Sequence, residues 1–171
     1  MLFCLLFHPL RIVKGEENCA DDGAVCRKSA VKEDLCNFTA TEISDEKWKT
    51  LLMGKHLLSL QWIGAEKPGS IAVTEDHGLL RISGVQRDDA SGDYLKVDGK
   101  IRRVGVKEFT FCGVILTKVS YINGGKECRR SGQFRFAVRG ERKYWRMQEK
   151  DNPCDKTEYG PIVDYIDIYL R

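Results

Sequence analysis

Residues 108–140 read "EFTFCGVILTKVSYINGGKECRRSGQFRFAVRG". The run from Glu108 to Tyr121 is rich in Phe, Val, Ile and Thr, residues that fit a pleated, half-buried surface. "INGG" at 122–125 is a tight turn that needs positive φ. The chain then returns with Phe134, Phe136 and Val138 on one face and Arg135, Ala137 and Arg139 on the other. Two long apolar strands joined by a short turn pair antiparallel, so this stretch decides the class: a β protein built from hairpins.

The same period of two extends on both sides. "HLLSLQWI" at 56–63 is a strand, and "PGSIAVTEDHGLLRISGV" at 68–85 supplies two around Asp76-His77-Gly78. "GDYLKVDGKIRRV" at 92–104 reads as a hairpin turning at Asp98-Gly99. "RKYWRMQE" at 142–149 follows, with "DNPC" at 151–154 as a turn, then a loop containing Gly160-Pro161 and a last strand in "VDYIDIYLR". Alternation sets Trp145 and Met147 toward the core and Tyr144, Arg146 and Gln148 away from it. In the last strand it separates Ile166, Ile168 and Leu170 from Tyr165, Asp167 and Tyr169. One helix is expected, where Trp48, Leu51 and Leu52 recur at helical spacing before Gly54. The fold predicted is mainly β, an antiparallel meander of about eight strands that escapes its edges by closing into a barrel.

The 171 residues suit one domain, and 31% charge of mixed sign with 42% hydrophobic content is ordinary for a globular chain. No stretch approaches the ~20 apolar residues of a spanning helix. A formal charge of +3 gives no reason to expect nucleic acid as a partner. The chain divides into residues 1–15, where "MLFCLLF" reads as a signal-peptide remnant, a cysteine-containing segment at 16–42, and the barrel at 43–171.

There are seven cysteines: Cys4, Cys19, Cys26, Cys36, Cys112, Cys128 and Cys154. Without the apolar run an even number remains, which suits an oxidising, extracytoplasmic compartment, periplasmic or secreted. None forms a C-x2-C or C-x4-C pair and the histidines lie far from them, so no metal is expected. Cys128 follows the "INGG" turn and Cys154 lies at the far end of the neighbouring strand, which makes them a disulfide pair. Cys19 with Cys26 is the preferred second pair. Cys112 is mid-strand and fits either a buried free thiol or a bridge to the N-terminal segment. "NFT" at 37–39 fits a glycosylation sequon in a eukaryotic source.

"KEFTFCGVILTKVSYINGGKECRRSGQFRF", "RKYWRMQEKDNPC" and "VDYIDIYLR" together resemble a family of small secreted bacterial proteins of uncharacterised function. The resemblance spans residues 54–171, with "YWR" and "DYIDIY" as its most specific parts. At fold level the meander after a short helix resembles the calycin barrels, which include the lipocalins. The lipocalin G-x-W signature is not met, since Gly54 is followed at the Trp position by His56.

No nucleophile elbow, metalloprotease or phosphate-loop motif occurs, and no cofactor is expected. Asp164 and Asp167 differ by three and fall on opposite faces of a strand, so surface solvation is the expectation for both. His56 and His77 have no partners placed by motif and are read as structural or exposed. The densest chemistry is cationic: Arg135, Arg139 and Arg146, with Tyr144 among them, come together on adjacent strands. They either hold an anionic ligand or pair across strands with Glu141, Glu149 and Asp167. A further arrangement places Arg146 inside the barrel end, packed on Trp62. Arg135, Arg139, Tyr144, Arg146 and Trp62 are therefore the candidate ligand residues. The function expected is a non-enzymatic, monomeric secreted protein that binds a small molecule or a protein. The alternatives are an interaction or inhibitor module using the cysteine-rich segment as an arm, and a hydrolase built on carboxylates such as Glu149 and Asp164.

Overall fold

The computed structural model describes residues 36–64, 66–158 and 160–170. The signal-like run and the expected Cys19–Cys26 pair lie outside these residues. The elements are β1 (Glu42–Ile43), α1 (Glu46–Leu52), β2 (Gly54–Leu60), β3 (Gly69–Asp76), β4 (Leu79–Asp88), β5 (Asp93–Gly105), β6 (Glu108–Lys118), β7 (Cys128–Ala137), β8 (Tyr144–Met147), β9 (Asp151–Thr157), β10 (Gly160–Val163) and β11 (Ile166–Tyr169).

Eight strands close a ring in the order β5-β4-β3-β2-β11-β8-β7-β6, and β6 returns to β5. Every neighbouring pair in the ring is antiparallel, as short connections between consecutive strands require. The expected meander is thus present, with one departure from sequence order. β9 and β10 leave the ring as a separate hairpin, and β11 comes back to fill the place between β8 and β2. β1 runs parallel to β5 at Arg103 and Val104, beyond the end of β4.

Alternation puts an apolar set inside. Phe109 and Phe136 stack with centroids 5.0 Å apart, and Trp145 meets Phe109 edge-on at 5.8 Å. Trp48, on α1, meets Trp145 at 6.1 Å and so brings the helix against this end of the barrel. Asp45, whose carboxylate accepts from the Trp48 amide at 2.9 Å, caps that helix. Beside Leu60, Thr117 and Ile122 the packing leaves a void of about 10 Å³, room for a single water. Among the described residues the lumen is filled by one continuous cluster of apolar side chains. Lys96, Arg129 and Arg135 project outward, so the barrel's polarity is opposite to that of a lipid-facing one.

Several local expectations differ from the structure. Asp98-Gly99 is no turn; it lies mid-way along the continuous β5. The first strand ends at Leu60, and Gln61–Ile63 form a 3-10 turn that carries Trp62 over the barrel end. "DNPC" is extended in β9, and Gly160-Pro161 begins β10. The chain does turn at His77-Gly78, with φ of 49° and 81°, and at Asn123–Gly125, with φ of 52°, 60° and 73°.

Two disulfides fasten this frame. Cys128 and Cys154 join the start of β7 to β9 with a Cα–Cα distance of 5.7 Å. The loop so closed corresponds to about 3 kcal/mol in the chain-entropy model. Cys112 is not a free thiol: Cys36 bridges it across 76 residues and draws the N-terminal segment over the outside of β6. Phe38 then lies under the Lys100 ammonium, 5.1 Å from the ring centroid. The buried Thr41 hydroxyl donates to the Ile101 carbonyl at 2.6 Å and accepts from the Leu80 amide at 2.8 Å. Thr41→Val keeps the shape but strands both backbone groups. A loss of about 1–3 kcal/mol in urea unfolding is expected; an unchanged midpoint would mean that water replaces the hydroxyl.

Candidate functional site

The outer wall formed by β8 and β11 carries the row that alternation placed there. Tyr144 pairs with Tyr169 and Arg146 with Asp167 across the two strands. The Arg146 guanidinium makes a two-pronged contact with the Asp167 carboxylate, at 2.7 and 2.6 Å. That bonding, opposed by partial burial, holds Arg146 above its ordinary pKa. The same guanidinium lies 4.2 Å from the Tyr165 ring centroid and 5.0 Å from that of Tyr144. Arg142 approaches Tyr144 from one side, at 5.8 Å, and Lys150 approaches Tyr165 from the other, at 5.8 Å. The result is a ladder: Arg142, Tyr144, Arg146, Tyr165, Lys150. Tyr165 and Tyr169 each remain 36% exposed. Tyr169 also borders an open groove of about 300 Å³ with Leu57, Ser70 and Leu170.

Arg135 and Arg139 do not join this ladder. Arg139 donates twice to the Gln148 side-chain oxygen, at 2.9 and 2.8 Å, and Arg135 pairs loosely with Glu108 at 3.7 Å. Glu149, an expected partner for a cation, accepts instead from the Arg135 backbone amide at 2.9 Å.

Trp62 lies elsewhere. At the barrel end its indole donates to one oxygen of Asp164 at 3.1 Å, while Arg130 and Asn152 donate to the other at 3.0 and 3.1 Å. The arginine drawn inside the barrel is therefore Arg130 on β7, and Arg146 stays on the outer wall. The sequence reading missed Arg130, although its place two residues from Cys128 and four from Phe134 on the inward face was a signal for it. Solvation does not account for either aspartate. Asp164 is 1% and Asp167 5% exposed, each held by an arginine, because the chain bends between β10 and β11 and sends one to the barrel end and the other to the wall. Burial pushes the Asp164 carboxyl up against the pull of Arg130, Trp62 and Asn152. Burial likewise draws Arg130 down, with Asp164 opposing.

His56 is structural in its contacts: one ring nitrogen lies 2.9 Å from the Tyr169 carbonyl and the other 2.9 Å from that of Leu52. It ties the last strand to the end of α1. Among the described residues no group of three or more His, Cys, Asp or Glu is arranged to hold a metal ion.

A family model, the PM1083 family, matches residues 40–170, from the segment before β1 to the end of the last strand. The chain belongs to the PM1083 family. An uncharacterised protein of Pasteurella multocida (strain Pm70), PM1083, is 39% identical over 133 residues, which covers 78% of this chain and 81% of the relative. No solved structure matches. For the PM1083 family, therefore, the barrel and its outer wall have to be read from their own chemistry.

Proposed function

We propose that the protein is an extracytoplasmic, non-enzymatic binding protein that takes a protein partner on its outer wall. The observation that carries this reading is the ladder of Arg142, Tyr144, Arg146, Tyr165 and Lys150. Tyrosine and arginine are the residues that dominate protein interfaces, and here they are held rigid before any partner arrives. The two disulfides support an oxidising compartment. Among the described residues no helix is long and apolar enough to cross a membrane. A non-enzymatic role is supported by the commitment of the buried Asp164 and Asp167 to arginines and of the buried Asp93 to the Ser120 amide and hydroxyl.

The test is site-specific photo-crosslinking in the producing cell. A photoreactive side chain at Tyr169 should give a discrete protein adduct. The same group at Lys96, on the strand four places away around the ring, should give none. The Tyr144→Ala and Tyr165→Ala pair should abolish the adduct while leaving the folded fraction intact. Equal adducts from both positions, or none from Tyr169, would remove the wall as the binding surface.

A further inference from the structure

β7 is laddered to β6 over ten positions, from Ala137 to Cys128, but to β8 over only two, Phe136 with Met147 and Ala137 with Arg146. One more contact follows, Gln148 donating its amide to the Arg135 carbonyl at 2.8 Å. From there residues 149–153 run past β7 to the Cys154 anchor with no ladder bond to it among the described residues. Period two turns the amide and carbonyl of Ser131 to the same side as those of Arg135, toward this gap.

The gap is a bay of about 370 Å³ in the barrel wall, within the size range of small-molecule sites. Its floor is made by the inward residues Arg130 and Phe134, and its rim by Arg129 and Ser131 on one side and Glu149 and Asp151 on the other. Arg130 is only 6% exposed, and its Nε and Nη1 have no acceptor. Buried donors left open in this way call for an occupant that brings its own acceptor. Neither Arg129 nor Asp151 has an ion-pair partner among the described residues. The bay thus sets Arg129 and the two open N–H groups of Arg130 opposite Asp151 and Glu149. Arg130 is otherwise paired with Asp164 and Glu149 accepts from the Arg135 amide, which leaves Arg129 and Asp151 as the unpaired charges of the bay among the described residues.

We propose that this bay binds a small zwitterion, an α-amino acid or a molecule with the same adjacent ammonium and carboxylate. A simple anion would face Glu149 and Asp151, and a simple cation would face Arg129. Only a dipole meets both walls at once. Its carboxylate goes to Arg129 and the open N–H groups of Arg130, its ammonium to Asp151 and Glu149, and the Ser131 backbone supplies one more donor and acceptor. The Arg130 groups are covered in the empty protein, so binding shifts residues 149–153, which are laddered to β10 and bonded to Asp164 but carry no ladder to β7. The shift reaches Trp62 through the shared carboxylate of Asp164. The bay shares no lining residue with the tyrosine ladder, although the segment beside it carries Lys150, and it does not depend on a partner's binding there.

Calorimetric titration of the oxidised protein with each of the twenty common amino acids, with acetate, methylammonium and glucose as comparisons, tests the assignment. Saturable binding is expected for at least one amino acid, accompanied by a change in tryptophan fluorescence, and none for the three comparison compounds. Arg129→Gln and Asp151→Asn, both surface changes that leave the core intact, should each weaken it about tenfold or more. Arg139→Gln, outside the bay, should leave it unchanged. No binding by any amino acid at millimolar concentration would overturn the proposal. So would equal binding of acetate, or binding indifferent to Asp151→Asn.

Discussion

Asp164→Leu should cost the protein about 3–5 kcal/mol in urea or guanidinium unfolding, because it leaves the Arg130 charge buried with nothing to pair it. The carboxylate accepts from Arg130, Trp62 and Asn152, so one substitution also strands two neutral donors. The sharper expectation concerns the double replacement. Arg130→Met with Asp164→Leu should recover more than half of the loss, since the pair removed together takes its desolvation cost with it. A double variant as unstable as the single would mean that the cluster holds the barrel end by geometry rather than by charge balance. The pH dependence has a definite sign. Burial raises the Asp164 carboxyl above its unfolded value, so the native state binds a proton where the unfolded chain does not. The resulting contribution is fully present below the unfolded pKa near 3.8 and is lost as pH rises through the folded one. Relative to Asp164→Asn, which cannot titrate, the native protein should therefore lose stability across that window. A difference that stays flat would show the carboxyl to be unshifted by folding, and one that grows with pH would show it to be depressed instead.

This cluster also marks where sequence reading stops. Period two was enough to set Trp145, Met147, Phe134, Phe136, Ile166 and Ile168 inward, and all of them are buried. It was enough to set Tyr144 and Arg146 outward, and their neighbours on β11 follow from a three-residue register. What it could not provide was the path of the chain between Met147 and Ile166. There the ring is interrupted by the β9–β10 hairpin, and the bend that follows decides that Asp164 goes to the barrel end while Asp167, three residues on, goes to the wall. A strict alternation carried through the interruption gave the right difference between the two aspartates and the wrong surroundings for both. Trp62 was misplaced for a related reason. Its stretch reads as strand, but the chain leaves the sheet after Leu60, whose amide bonds to the Gln86 side chain at 2.6 Å instead of to a neighbouring strand. Tertiary contacts decide such ends, and alternation is blind to them.

Gly113→Val should prevent the barrel from closing, with the protein lost to the insoluble fraction. Gly99→Val should do the same. The two glycines face each other across β5 and β6. A Cβ on Gly113 would stand 2.2 Å from the Asp98 carbonyl oxygen, 2.6 Å from the tip of the Phe111 ring and 2.7 Å from the Gly99 Cα. A Cβ on Gly99 would stand 2.3 Å from the Cys112 carbonyl oxygen and 2.7 Å from both the Gly113 Cα and the Phe111 ring. Two of those three obstacles are backbone in each case and cannot swing away, so the ladder itself would have to part. The row continues to Gly132 on β7, register partner of Gly113, where φ is 135°. Three glycines in line let adjacent strands bend sharply enough for an eight-membered ring, and Phe111 fills the space that the missing side chains leave. Asp98-Gly99 has the composition of a hairpin turn, yet what that position requires is the absence of a Cβ. Gly105→Ala distinguishes this account from a general intolerance of β5, since the nearest atom to its added Cβ would be Glu108 Cγ at 3.7 Å. That variant should fold normally and be unchanged or slightly more stable, by about 0.4–1 kcal/mol. Soluble, native-like Gly113→Val protein would show that the strands can separate there without opening the ring.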